Sequence, residues 1–313
     1  MPPRCPRIRS LWVLVILAGA NHALGQANRQ VNCAAGETIS AALSAASSGD
    51  TITANGVCKE SVLIPAEVTR ITLNGRGTAT ISHPTGVTTP GPAAHVIYIR
   101  GRGITVTGFR ISGGVDGVHL SGPAHAVIQG NSISDNTGRG VHVDKGSVAQ
   151  IAGNTIESNG GGGIHITESS MARIGFLIPP QPQLQPNRIT RNGSYGILIA
   201  RGSTARVVGN SIEANDGPGI MVDRSGEADV AANTISANAG DAIVVTRNSG
   251  VNLSSEREGP TDGPNSTGSA SKNRGVAIRC EIGGYVAGPL GTLSGAAGAK
   301  AFDGTCIDRV TPP

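Results

Sequence analysis

The chain has 313 residues, of which 46 are glycine and 2% are aromatic, and it carries 25 Lys and Arg against 21 Asp and Glu, a formal net charge of +4. Glycine at about twice its usual share of ~7%, with so few rings, leaves the core to Ile, Val, Leu and Ala. Arg4, Arg7 and Arg9 stand in the first 25 residues, which hold no acid, so the remainder has 22 basic against 21 acidic residues; without a positive excess or rings to stack bases, nucleic acid is excluded as a partner.

In chain order, the three Arg precede an apolar run, LWVLVILA (11–18), and small residues at Ala23 and Gly25. That pattern predicts a secretory signal peptide over residues 1–25, cut after Gly25 or Ala27. The run is too short to span a bilayer, no later run is long and apolar enough, and the expected destination is secreted or periplasmic. Four cysteines come after it: Cys33, Cys58, Cys280 and Cys306. In an oxidising compartment they allow three connectivities. The expected one is Cys33–Cys58 with Cys280–Cys306, each closing a loop at one end. From Glu37 to Ser47 the residues Ile39, Ala42, Leu43 and Ala46 share one helical face, which predicts a short helix capping the open end of a repetitive β-structure downstream.

A repeat then dominates. Asn-x-Ile triplets begin at Asn131, Asn154, Asn187, Asn210 and Asn233, spaced 23, 33, 23 and 23 residues apart. The outlier contains the ten-residue insert FLIPPQPQLQ (176–185), without which its spacing is also 23. A second Asn comes after each triplet, at 136, 159, 192, 215 and 238; then come apolar-x-apolar pairs at VHV (141–143), IHI (164–166), ILI (197–199), IMV (220–222) and IVV (243–245). A third alternation closes each repeat, as in AQI (149–151) and ARI (172–174). Each alternation is a short strand with one buried face, and a period in the low twenties means a solenoid. Three strands per repeat, with Asn and Gly at the turns, give a triangular coil. Its Ile side chains stack from coil to coil, and equivalent Asn amides form a ladder, with Asn also tolerating left-handed backbone at the corners. FRI (109–111), VHL (118–120) and AVI (126–128) make an earlier rung, with IYI (97–99) and ITV (104–106) before it.

The segment SSEREGPTDGPNSTGSASK (254–272) interrupts the coil as a Gly/Ser/Pro-rich loop, and the stretch from Cys280 to Cys306 loses the repeat and reads as an irregular cap or hairpin. The expected organisation is one β-helix domain over residues 26–310, with an N-cap at 26–60, coils at 61–280 and a C-cap at 281–310.

GDTITANGVCKESVLI (49–64), RITLNGRGTATI (70–81) and the Asn-x-Ile coils together resemble the pectin-lyase-like superfamily of right-handed parallel β-helix proteins with PbH1 repeats, over roughly residues 36–280. The resemblance implies the fold. Its members include polysaccharide lyases, glycoside hydrolases, uronan epimerases, phage tailspikes and copper-loading accessory proteins, so it implies no single activity. Catalytic signatures of that superfamily do not map onto this chain: Ile156 and Ile235 stand where an Asn-Thr-Asp would place its acid, and Asp-Asp, Gly-His-Gly and Asp-Pro-His are absent. No Asp-rich calcium loop stands out.

One column carries chemistry. The middle residue of the second strand points away from the core, because its neighbours point in. Coil by coil it reads Tyr98, His119, His142, His165, Leu198, Met221, Val244 and Ala277. Coils lie ~4.8 Å apart, so a Tyr and three His stand in file, with Asp144 on the same face as His142. Such outward polar sites are commonly plain surface. The functional reading is a ligand-binding stripe of Tyr98, His119, His142 and His165 for an extended polysaccharide. Apolar Leu198, Met221 and Val244 continue the file as a patch to be covered by the insert, by the 254–272 loop or by another copy of the chain. His83 and His125 carry no role. These observations favour a secreted β-helix that binds a polysaccharide or envelope partner without catalysis or cofactor. The alternative is a polysaccharide lyase or uronan epimerase using His119, His142, His165 and Asp144 as acid and base. A second alternative is metal handling, with His119, His142 and Asp144 as ligands.

Overall fold

The computed structural model describes residues 26–84, 91–178, 183–254, 263–269 and 271–311. The segment expected to be a signal peptide lies outside them. Among the described residues the chain winds into a parallel β-solenoid whose three faces are a 12-stranded, a 10-stranded and an 8-stranded sheet, here sheets A, C and B. One coil runs through His125–Gln129 on sheet A, Ser132–Ser134 on sheet B and Val141–Val143 on sheet C, then returns to sheet A at Val148–Ala152. Among the described residues the pairings between coils are parallel, Ile133 on Ile156 and Ile156 on Ile189, with a register shift at His125/Ala126. These Ile side chains are fully buried. Such runs of β-branched side chains, stiff at χ1, fit a pleated face stacked on its own copy.

Two amide ladders fill the corners flanking sheet B. Asn131, Asn154, Asn187, Asn210 and Asn233 each donate from Nδ2 to the Oδ1 of the next at 2.9–3.1 Å, and the last reaches Asn265. The second ladder runs from Asn136 through Asn159, Asn192, Asn215 and Asn238 to Asn273. Both Asn265 and Asn273 lie in or just after the segment read as a loop, where the interruption of the period conceals them. The left-handed backbone is not at the Asn. It falls on the preceding residue: Asp135, Ser158, Arg191, Ala214 and Ala237 have φ near +55. That frees each Asn to point inward, where its amide satisfies buried carbonyls.

Other expectations shift. The helix covers Ile39–Ser44, capped by the Thr38 side chain, and Ile39 and Leu43 enter the core. Residues 276–311 are further coil: Val276–Glu281 and Gly298–Phe302 extend sheet C in parallel, and Tyr285–Pro289 and Ile307–Thr311 extend sheet A. Glycine and short apolar pairs replace the Asn triplets there, so the repeat is retained in backbone and lost in sequence. The disulfides Cys33–Cys58 and Cys280–Cys306 form as expected. The described ends of the insert pair antiparallel, Phe176–Leu177 with Gln183–Leu184. Its described residues lie beside sheet A, where Ile178 N donates to Gln150 and Gln129 donates to Gln185, and not over the apolar file. Described parts of the 254–272 segment continue sheet B instead, Ser266 bridging Thr234. Leu198 and Met221 are half-buried and Val244 is buried by stacking within the file itself. The next member of that file is Arg279, not Ala277, because Val244 pairs with Arg279. No helix among the described residues is long and apolar enough to cross a membrane.

Candidate functional site

Register alone puts Tyr98, His119, His142 and His165 side by side on sheet C. Their rings pack into one pile. Tyr98 meets His119 edge-on at 5.1 Å between centroids, His119 stacks on His142 at 4.3 Å, and His142 on His165 at 5.0 Å. An outward column is expected to be wet, but His119 is only 8% exposed and His142 9%. Rings at coil spacing cover one another, and a second column of side chains closes their flank.

That second column is invisible to strand alternation. It occupies the turn two residues before each strand of sheet C and reads His95, Asp116, Arg139, Gly162 and Tyr195. The turns stack like the strands: the residue after each donates its N–H to the carbonyl one coil below, Gly117 to Arg139, Gly140 to Gly162 and Gly163 to Tyr195. Carrying the offsets of the strands over to the turns, 21, 23, 23 and 33 residues from His95 to Tyr195, reveals it in the sequence.

Asp116 is the hub, 1% exposed. Its Oδ2 hydrogen-bonds His142 Nδ1 at 3.2 Å and lies 3.2 Å from His95 Nδ1, while Oδ1 accepts from the Arg139 backbone N–H at 2.9 Å. Burial alone would raise its carboxyl, but the bonds from His142 and His95 outweigh it and hold the group well below the usual carboxylate range. His119 Nδ1 is hydrogen-bonded to His95 Nε2 at 3.0 Å, and its other nitrogen lies 3.2 Å from Asp144 Oδ2. Burial raises Asp144 too, against the stronger pull of His119 and Ser121, which leave it at about 2. Asp144 thus meets His119, one coil earlier, more closely than the His142 of its own strand.

The opposite end is more open. His165 is half-buried, and burial lowers its imidazole to about 3, so it is neutral at neutral pH. Tyr195 lies edge-on to His165 at 5.9 Å, and the Arg139 guanidinium acts on its hydroxyl. Burial raises the Tyr195 phenol, which keeps its proton. The ring fits because position 162 is glycine: a Cβ there would sit 2.0 Å from Tyr195 Cε2. His125 is exposed and His83 half-buried, both apart from the cluster, with His83 bonding the Pro84 and Ala93 carbonyls.

A right-handed parallel β-helix carrying a coupled imidazole–carboxylate cluster on one face is the class that fold and site define. The chain belongs to the right-handed β-helix family: the family model described as "Right handed beta helix region" matches residues 94–176 and 173–258, more than half the chain, and includes the whole cluster. A search of curated proteins finds no match. Among solved structures the chain is similar to a mutant of the periplasmic alginate epimerase AlgG, at 16% identity over 84% of this chain and 69% of that one, with a TM-score of 0.57. It is also similar to pectate lyase Pel9A, at 11% identity over 90% of this chain and 80% of that one, with a TM-score of 0.58. At such identities the likeness is one of fold.

Proposed function

We propose that this protein acts on an acidic polysaccharide, removing the proton at C5 of a uronate residue to give either β-elimination or C5 epimerisation. The observation that carries this reading is the half-exposed trio of Arg139, His165 and Tyr195 above the buried His–Asp network. Proton abstraction beside a carboxylate needs a neutral base, a cation to hold the carboxylate as it takes up negative charge, and an acid. His165 is the neutral imidazole, Arg139 the guanidinium and Tyr195 the protonated phenol. In the reaction His165 takes the C5 proton and the electron pair moves into the carboxylate, held by Arg139. For elimination the pair then forms the C4–C5 double bond as the C4–O bond breaks, and Tyr195 protonates the leaving oxygen. For epimerisation Tyr195 returns a proton to the other face of C5. The names of the two fold neighbours, an alginate epimerase and a pectate lyase, accord with this reading over non-catalytic binding. The two disulfides support a periplasmic or secreted location.

The test is incubation with polymannuronate, polyguluronate, polygalacturonate and a neutral glucan. Unsaturated ends are read by ultraviolet absorbance and inverted C5 centres by NMR. One of the two products from at least one acidic polymer, and neither from the glucan, is the expected result. Unaltered acidic polymers that co-elute with the protein would overturn catalysis and leave a binding module.

A further inference from the structure

The buried end of the cluster packs more acceptors than its rings, with one N–H each, can serve. Three gaps lie in series: Asp144 to His119 at 3.2 Å, His119 to His95 at 3.0 Å, and His95 to Asp116 at 3.2 Å. Both ends of the series are carboxylates, which only accept when ionised, and a neutral imidazole brings a single N–H. With one N–H on each ring, two protons serve three gaps, whichever tautomers the rings adopt. His142 does not help: its Nδ1 faces the Asp116 carboxylate, which only accepts, so a ring with one N–H presents a lone pair at Nε2. Buried atoms without a hydrogen-bond partner lie at both ends of the series, His95 Nδ1 toward Asp116 and three more toward Asp144. His119 Nε2, His142 Nε2 and Asp144 Oδ1 are all buried and unpartnered. His119, His142 and Asp144 each offer a ligand atom within 4.8 Å of the others. When both ring nitrogens present lone pairs here, they and the Asp144 carboxylate repel one another in a dry site, and a cation between them relieves it.

We propose that His119 Nε2, His142 Nε2 and Asp144 bind a divalent transition-metal ion of the zinc class, with Asp116 orienting His142 from behind. Two imidazoles and one carboxylate suit such an ion, whereas calcium and magnesium call for oxygen shells. The His142 Nδ1–Asp116 bond is the carboxylate support that metal-binding histidines ordinarily have. Three protein ligands leave a fourth position open, as in sites where the metal does chemistry. Lys145 and Glu168 are exposed beyond the strands and add no fourth ligand. This site adjoins the Arg139, His165 and Tyr195 rim through the His142–His165 stack, and its test uses no polysaccharide.

The experiment is calorimetric titration of Zn2+ into chelator-stripped, disulfide-intact protein, with Co2+ absorption as a second readout of nitrogen–oxygen coordination. One equivalent is expected. Asp144→Asn and His142→Gln should each weaken it at least tenfold, and Asp116→Asn by about 10–100-fold. The control His83→Ala/His125→Ala should change nothing. Absence of a saturable site and of Co2+ bands in the wild type would overturn the proposal, a third proton then filling the gap. So would binding abolished by the control pair. Should any variant fail to fold by circular dichroism, the wild-type Co2+ spectrum still decides.

Discussion

Gly162 and Tyr195 show how a single methyl group can control the rim. With a Cβ 2.0 Å from the Tyr195 ring, Gly162→Ala forces the ring out of its slot. Overpacking of this kind costs about 1–3 kcal/mol, and it separates the phenol from Arg139 and His165. Gly162→Ala is expected to lower kcat/KM at least tenfold, together with a modest fall in thermal midpoint; full activity would remove Tyr195 from the chemistry. The sequence displays His119, His142 and His165 because strand alternation marks their position. It hides His95, Asp116, Arg139 and Tyr195, which sit in turns where alternation says nothing. It also cannot show that outward rings at coil spacing bury one another, which is what turns a surface stripe into a coupled cluster.

At the scale of elements, the ladders do for the corners what β-branched stacking does for the faces. Asn192 is fully buried; its amide donates to the Ile156 carbonyl and to Asn215 Oδ1, and its own oxygen accepts from the Asn159 backbone and side chain. Asn192→Ala leaves donors and acceptors unmatched on both neighbouring coils, at about 1–3 kcal/mol for each stranded group. A loss of about 2–4 kcal/mol in urea unfolding is expected, while the same change at exposed Asn28 should cost less than about 0.5 kcal/mol. Equal effects at the two sites would deny the ladder its role. The repeat is legible wherever Asn-x-Ile recurs. It is illegible at Asn265, Asn273 and the last coils, where a long excursion breaks the count and parallel pairing is held by backbone bonds that do not depend on side-chain identity.

For the whole molecule, stability rests on neighbour-to-neighbour stacking, so the ends are where it opens. At the N-terminal end Asp50, 2% exposed, accepts from the backbone of Ser47 and Ala27 and from Arg29, each at 2.9 Å. Those bonds, Ser47 first, hold its carboxyl below the ordinary 3.8. A carboxyl lowered on folding stabilises the fold above its unfolded value and loses that contribution as pH falls through the folded one. The stability gap between wild type and Asp50→Asn should therefore be constant above about pH 5 and narrow below 3.8; a gap independent of pH would mean that Asp50 does not tie down this end.

In the proposed chemistry one face of the coil removes a proton beside a uronate carboxylate. The most direct measurement is the fate of the C5 hydrogen of polymannuronate and polygalacturonate incubated with the protein in D2O, followed by NMR. Loss of that hydrogen is expected, through deuterium uptake or formation of a C4–C5 double bond. A fall of about 10²-fold or more in the rate is expected for His165→Ala and Tyr195→Phe. A C5 hydrogen untouched in every acidic polymer, by protein shown to be folded and oxidised, would contradict it.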